Sequence, residues 1–204
     1  MKSPFNSLPT KAALAVLAST LCSWANAHTG VDAHGHTGFL MGFGHPLGGL
    51  DHVAAMVAVG LWSALAARRA GAELLWGPLG SASLLLVGAV MGLQGITLPA
   101  VEPMIASSLL VIGLLVVSRL HLPGLAAALL VGGFAMFHGV AHGLELAGNA
   151  SAWLTLAGLL STTVLLHLTG LGLGWVLRHN SIWLARSAGA AVAASGGALL
   201  LQWI

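Results

Sequence analysis

Residues 45–52 of the chain read HPLGGLDH, and this segment decides how the rest of the sequence is interpreted. It lies near the start of a long apolar run, so it places two imidazoles and a carboxylate among hydrophobic residues. Ionisable groups are costly in hydrocarbon, and by default they mark a binding site or a pathway. Pro46 and the pair Gly48 and Gly49 loosen or break a helix, and irregular backbone at membrane depth is tolerated only where it is buried in protein or lines a cavity.

The spacing within this segment predicts where its side chains point. His45 and His52 are seven residues apart, so in a continuous helix they share one face about two turns apart. Asp51 then lies on a neighbouring face. We expect it either to offset the charge of a bound cation or to accept the second N–H of an imidazole, as carboxylates behind metal ligands do.

A second polar stretch, residues 137–145 with the sequence FHGVAHGLE, lies in another apolar run. His138, His142 and Glu145 are spaced i, i+4 and i+7, which places them on one face of one helix. Two histidines four residues apart form a metal-ligand pair, but the zinc-protease pattern requires Glu directly after the first histidine. Gly139 occupies that position here. We therefore predict that the two stretches face each other and bind a divalent metal ion, the alternative being that they only hydrogen-bond helices together.

The composition is that of a polytopic membrane protein. The chain is 57% hydrophobic and only 6% charged, whereas soluble domains carry about 25% charged residues. Cys22 is the only cysteine, which excludes an intrachain disulfide and a thiolate metal cluster. Lys2 and Lys11 lie in a predicted leader, and without them the arginines balance the acidic residues, so the basic pI does not indicate a nucleic-acid partner.

The predicted organisation is a signal peptide, a short arm and a membrane domain. Residues 1–27 combine a basic start, a short apolar core and an A-x-A cleavage site, with an uncleaved anchor as the alternative. Residues 28–38 form a polar arm containing His34 and His36, interpreted either as a metal-collecting segment or as a solvated linker. Residues 39–204 are predicted to contain six membrane-spanning helices. Their approximate ranges are 39–67, 74–94, 99–118, 122–146, 152–176 and 182–204.

The arginines predict the orientation of these spans. Arg68 and Arg69 follow the first span, Arg119 follows the third, and Arg178 and Arg186 flank the connection between the fifth and sixth. A cleaved leader leaves the mature N-terminus outside, and all five arginines then fall on the cytoplasmic side, as the positive-inside rule requires. We therefore expect a multi-pass protein of the bacterial inner membrane with a periplasmic N-terminus.

One further histidine lies deep in the fifth predicted span. His167 is flanked by leucines, and its two readings are a hydrogen-bonded structural residue or a ligand that lines the pathway. His121 and His179 lie beside arginines at helix ends, where no special role is expected. A site that combines imidazoles and carboxylates without thiolate suits Ni(II), Co(II) or Zn(II), and the residues alone do not choose among them.

The two polar stretches resemble the HupE/UreJ family of bacterial nickel permeases. The first reads H-P-x-x-G-x-D-H and the second F-H-G-x-A-H-G-x-E, and the order of leader, histidine-containing arm and six spans is similar over essentially the whole chain. The resemblance implies a secondary permease that carries Ni(II), or Co(II) in some relatives, toward the cytoplasm for enzymes such as hydrogenase or urease. The matching positions are the candidate metal-handling residues: His45, Asp51, His52, His138, His142 and Glu145.

The leading hypothesis is therefore a permease rather than an enzyme, with the metal ion as its substrate and no resident cofactor. The expected partners are the ion and the lipid bilayer, with no nucleic acid, and a homo-oligomer is left open. Protons compete with metal for imidazole nitrogens, so uptake is expected to weaken in acid. The alternatives are an intramembrane metal-dependent hydrolase, in which the site activates water, and a membrane protein that binds metal without transporting it.

Overall fold

The computed structural model describes residues 38–202. The predicted signal peptide (residues 1–27) and nearly all of the predicted arm, including His34 and His36, lie outside the described residues. Their assignment therefore stays a prediction, as do the boundaries of the membrane domain.

The described residues form seven α-helices and two short 3-10 segments, without a β-strand. The predicted all-α class is therefore confirmed. The α-helices are α1 (Phe39–Gly44), α2 (Leu50–Ala66), α3 (Trp76–Leu93), α4 (Val101–Ser118), α5 (Gly124–Glu145), α6 (Ala152–Asn180) and α7 (Ile182–Leu200). Helix α4 begins directly after Ala100, which adopts a left-handed conformation.

The first apolar run is broken within the HPLGGLDH segment. A 3-10 turn, His45–Gly48, follows α1, and Gly49 is extended (φ −114°, ψ 120°) before α2 begins. The two halves are bent by 88°. Pro46 cannot donate a helical hydrogen bond, and glycine adopts the extended conformation at little steric cost. The expectation that His45 and His52 share a face of one continuous helix is therefore wrong.

Within residues 38–202, four helices are long and apolar enough to cross a membrane, namely α3, α4, α5 and most of α6. The bent pair of α1 with its 3-10 turn and α2 brings the number to five if it counts as one span. A multi-pass membrane protein is thus supported, whereas the predicted number of six is not confirmed. The difference lies in α7, which is rich in alanine, glycine and serine, contains Arg186, and is not among these spans.

Glycines let the long helices approach closely in pairs. A Cβ atom at Gly88 would meet the backbone of Met136, and one at Gly139 would meet the backbone of Leu85, so α3 and α5 touch nearly backbone to backbone. Equivalent contacts join α2 to α6 and α4 to α7. Small residues at helix interfaces are how membrane helices gain packing energy, since lipid supplies no hydrophobic driving force between them.

The arginine-bearing helix ends gather at one end of the structure. Trp62 near the end of α2 donates to the carbonyl of Leu120 after α4 (3.0 Å), and Arg178 of α6 donates to the carbonyl of Ala64 (3.2 Å). Arg186 of α7 donates to the carbonyl of Val117 (2.9 Å). These bonds bring together the helix ends that carry the predicted cytoplasmic charge. That this end faces the cytoplasm stays a prediction.

Candidate metal centre

The two polar stretches meet, and four imidazoles lie in a continuous cluster. The ring centroids of His45 and His142 are 4.8 Å apart, and those of His52 lie 5.6 Å from His142 and 5.8 Å from His138. His45 and His52 are also neighbours, at 6.1 Å. The bend in the first run produces this arrangement, because it places the short helix α1 and its 3-10 turn so that His45 reaches the end of α5.

Three of these side chains already present ligand atoms close together. One ligand atom each from His45, His142 and Glu145 lie within 4.8 Å of one another. Imidazole nitrogens bind zinc at about 2.0–2.1 Å, so two nitrogens on one ion lie at most about 4.2 Å apart. Small side-chain rotations would therefore suffice for shared coordination. His45 and Glu145 are exposed while His142 is buried, so the cluster is open at one side and closed at the other.

Two carboxylates orient two of the imidazoles. Oδ1 of Asp51 lies 3.2 Å from Nδ1 of His52, and Oε2 of Glu145 lies 3.5 Å from Nδ1 of His142. A carboxylate accepts the Nδ1–H and leaves the lone pair on Nε2, which is the usual arrangement behind a metal-binding histidine. Nε2 of His142 is buried and has no hydrogen-bond partner among the described residues. That atom is therefore suited to accept a metal ion.

A serine on α4 supports the third imidazole. Nε2 of His138 lies 3.1 Å from Oγ of Ser108, and the same Oγ donates its one proton to the carbonyl of Ile105 (2.6 Å). Since the hydroxyl proton is used, Nε2 of His138 must be the donor to Ser108. The lone pair of His138 then resides on Nδ1, so this histidine offers its other nitrogen to the cluster.

Gly49 leaves the room that the Asp51–His52 pair requires. A Cβ atom at Gly49 would lie 2.7 Å from Oδ1 of Asp51 and 2.9 Å from Nδ1 of His52. The neighbouring Gly48 faces open space. Of the two glycines, only the second is sterically tied to the site.

The structure thus brings six of the predicted site residues into one place and leaves one apart. The six are His45, Asp51, His52, His138, His142 and Glu145. His167 lies on α6, is 2% exposed, and is not among the four clustered rings. Neither of its ring nitrogens has a hydrogen-bond partner within the part of the chain that is described.

Two supporting residues were missed by the sequence interpretation. Ser108 fixes His138, and Thr162 of α6 donates to the carbonyl of Phe43, a backbone acceptor beside the break after α1. Backbone groups freed by a broken helix must find such partners inside a membrane. Neither residue carries a sequence signal, because serine and threonine within apolar helices commonly bond to their own helix.

The fold and the cluster together define a class: an all-α, multi-pass membrane protein with a histidine-rich site at a broken helix. Irregular helices at such sites are a recurrent feature of membrane transport proteins.

The chain belongs to the HupE/UreJ family, because the family model described as HupE / UreJ protein matches residues 14–199. It is also 42% identical over 195 residues to Protein HupE of Rhizobium leguminosarum bv. viciae, covering 94% of this chain and 98% of that protein. The resemblance seen in the two polar stretches is therefore confirmed. No solved structure matches the chain.

Proposed function

We propose that this protein is a secondary permease for a divalent transition-metal ion, Ni(II) first and Co(II) second, and not an enzyme. The observation that carries the proposal is the imidazole cluster: three of its four rings have one nitrogen within hydrogen-bond distance of a neighbouring carboxylate or hydroxyl oxygen. A proton on that nitrogen leaves the lone pair of the other one for a metal ion. Ligands oriented in this way need only small rotations to bind a metal ion. Membership of the HupE/UreJ family supports the same class of function.

The donor set favours a borderline metal ion. Neutral imidazoles suit nickel, cobalt, copper and zinc, whereas the harder magnesium and calcium ions require mostly oxygen ligands. Asp51 and Glu145 add two negative charges that offset the charge of the ion. Affinity for such a site follows the order Co(II) below Ni(II) below Cu(II), so the choice between nickel and cobalt in the cell depends on geometry and supply as well as on affinity.

The gradient of exposure indicates how the ion enters. The side chain of Glu145 is 47% exposed, those of Asp51 and His52 are 25% and 23% exposed, and that of His142 is 7% exposed. An ion would exchange its water first for the exposed ligands and then for the buried ones. We infer that this mouth faces the periplasm, since it belongs to the opposite ends of α2 and α5 from the arginine-bearing end, and that uptake runs toward the cytoplasm.

The test is metal uptake into liposomes that contain the purified protein without residues 1–27. Ni(II), Co(II) and Zn(II) are each offered to the wild type, to His142→Ala and to His179→Ala. His179 is the matched control, because it is exposed at the end of α6 and contacts the carbonyl of Trp175, away from the cluster. We expect uptake by the wild type and by His179→Ala and a loss of at least tenfold in His142→Ala.

The outcomes separate the proposed permease from its alternatives. Uptake that is unchanged in His142→Ala would refute the site. Tight metal binding by a wild type that moves no ion would refute the permease and favour a binding protein. A bound metal together with hydrolytic activity would favour the hydrolase, against which Gly139 stands, because the usual general base is missing after the first histidine.

A further inference from the structure

His167 lines a cavity that His52 and His138 of the imidazole cluster also line. The cavity has a volume of about 30 Å³ and is lined by residues of the five helices α2 to α6. Its polar lining consists of His52, His138, Ser81, Ser108 and His167. A cavity needs about 10–15 Å³ to hold one water molecule, so this one has room for about two.

The position of His167 is deeper than that of the cluster. Gly60 of α2 packs directly against the backbone of His167, and α2 and α6 run side by side there. A Cβ atom at Gly60 would also meet the backbone of Gly170 and Leu171, and one at Gly170 would meet Val57 and Leu61. His167 is therefore level with the part of α2 about one turn, or about 6 Å, beyond His52. His167 is also near the middle of α6, far from either end of that helix. An ion that reached it would have moved about one helical turn inward.

The burial of His167 has no structural explanation among its neighbours. The side chain is 2% exposed, and neither ring nitrogen has a hydrogen-bond partner within residues 38–202. An unsatisfied buried polar group lowers stability, and an apolar side chain of similar size would avoid that cost. A buried ionisable residue that lines a cavity in a membrane protein is expected to serve the pathway.

We propose that His167 is an inner ligand for the transported divalent metal ion, which reaches it through this cavity from the outer cluster. The inference deepens the proposed permease and rests on it. The step is a ligand exchange: the ion releases an imidazole nitrogen of His52 or His138 and accepts a lone pair from a nitrogen of neutral His167. Its charge and oxidation state do not change, and water or the hydroxyl of Ser81 completes its coordination.

The experiment compares three properties of the full chain in the wild type and in His167→Leu. These are the melting temperature in detergent, equilibrium binding of Ni(II), and Ni(II) uptake into liposomes. Thr163→Val is the matched control. Thr163 lies one turn earlier on α6, is fully buried, and donates to the carbonyl of Leu159 in its own helix. His167→Gln is the second variant, because it keeps a polar side chain should leucine impair folding.

We expect His167→Leu to melt at the same temperature as the wild type or higher, to keep outer-site affinity within about twofold, and to lose uptake by at least about tenfold. Thr163→Val should keep its uptake, and His167→Gln should lose it. Two results would overturn the role of His167 as an inner ligand and leave the proposed permease intact. One is unchanged Ni(II) uptake in His167→Leu. The other is a parallel loss of melting temperature, Ni(II) binding and uptake in His167→Leu and His167→Gln. A wild type that moves no metal would instead refute the permease, and the inner transfer with it.

Discussion

Replacing Ser108 with alanine tests whether α4 sets the chemistry of the metal site. Ser108 touches the cluster only through His138, and its hydroxyl proton is committed to the carbonyl of Ile105. Alanine removes the oxygen that accepts the Nε2–H of His138. The histidine must then leave that N–H unpaired, rotate, or move its proton to Nδ1, and each change removes or misdirects the lone pair that faces the cluster.

The size of the effect follows from that lost acceptor. A hydrogen bond behind a metal-binding histidine is worth about 10–100-fold in metal affinity, which corresponds to about 1.4–2.7 kcal/mol. A buried N–H left without an acceptor costs about 1–3 kcal/mol, which is the same range. We therefore expect Ser108→Ala to weaken Ni(II) binding by about one to two orders of magnitude. Removing one buried hydroxyl leaves little new space, so the fold should be retained.

The assay is isothermal titration of Ni(II) into the purified protein in detergent, with Ser107→Ala as the control. Ser107 is the preceding residue of the same helix, is partly buried, and donates to the carbonyl of Pro103 (2.7 Å). Ser107→Ala should bind Ni(II) like the wild type, and Ser108→Thr should restore binding because it keeps the hydroxyl. Equal affinities of Ser108→Ala and the wild type, or equal losses in both alanine variants, would refute the assignment of Ser108.

Three further predictions concern other parts of the structure. Gly49→Ala should weaken Ni(II) binding by about tenfold or more, because its Cβ atom displaces the paired side chains of Asp51 and His52. Gly48→Ala should bind Ni(II) like the wild type. Equal Ni(II) affinities of the two variants would contradict this prediction. Gly139→Ala should lower the free energy of unfolding by about 1–3 kcal/mol, since α3 and α5 touch there. Gly133 faces open space, so Gly133→Ala should raise the free energy of unfolding by about 0.5–1 kcal/mol. Denaturant titration in detergent compares the two variants. The backbone N–H of Arg68 donates to Oε2 of the exposed Glu73 (3.0 Å) and lowers the pKa of that carboxyl. This hydrogen bond therefore stabilises the loop at pH values above the ordinary pKa of a carboxyl group, and its contribution is lost as the pH falls through the lowered pKa. Hydrogen exchange at that amide, relative to a Glu73→Gln variant, should accelerate over that acidic range, and identical pH profiles would argue against the contact.

The sequence predicted those features that depend on local composition and spacing. Runs of apolar residues predicted the membrane helices, since hydrocarbon requires a long continuous apolar segment whatever the tertiary structure. The spacing of His138, His142 and Glu145 predicted one helical face, because these residues belong to the uninterrupted helix α5. Two polar stretches embedded in such runs also predicted a site, since the cost of burying ionisable groups is a property of the residues themselves.

The number of spans and the relation of His45 to His52 were predicted less well. Periodicity assumes a straight helix, and the 88° bend beside Pro46 and Gly49 removes that assumption. The composition of α7 lies close to the boundary between a membrane span and an ordinary packed helix. Hydropathy alone therefore gave six spans, whereas four helices, or five with the bent pair, meet the criterion in the described residues.

What the sequence determined by itself is the set of helices and the two histidine stretches, because helix formation and the cost of charge in a membrane act locally. The tertiary structure decided how the bend brings His45 against His142, and which residue supports each ring. Ser108 and His138 are thirty positions apart and on different helices, so no pattern along the chain links them. The ligand nitrogen of each histidine is set by such contacts across helices, and only the folded chain contains them.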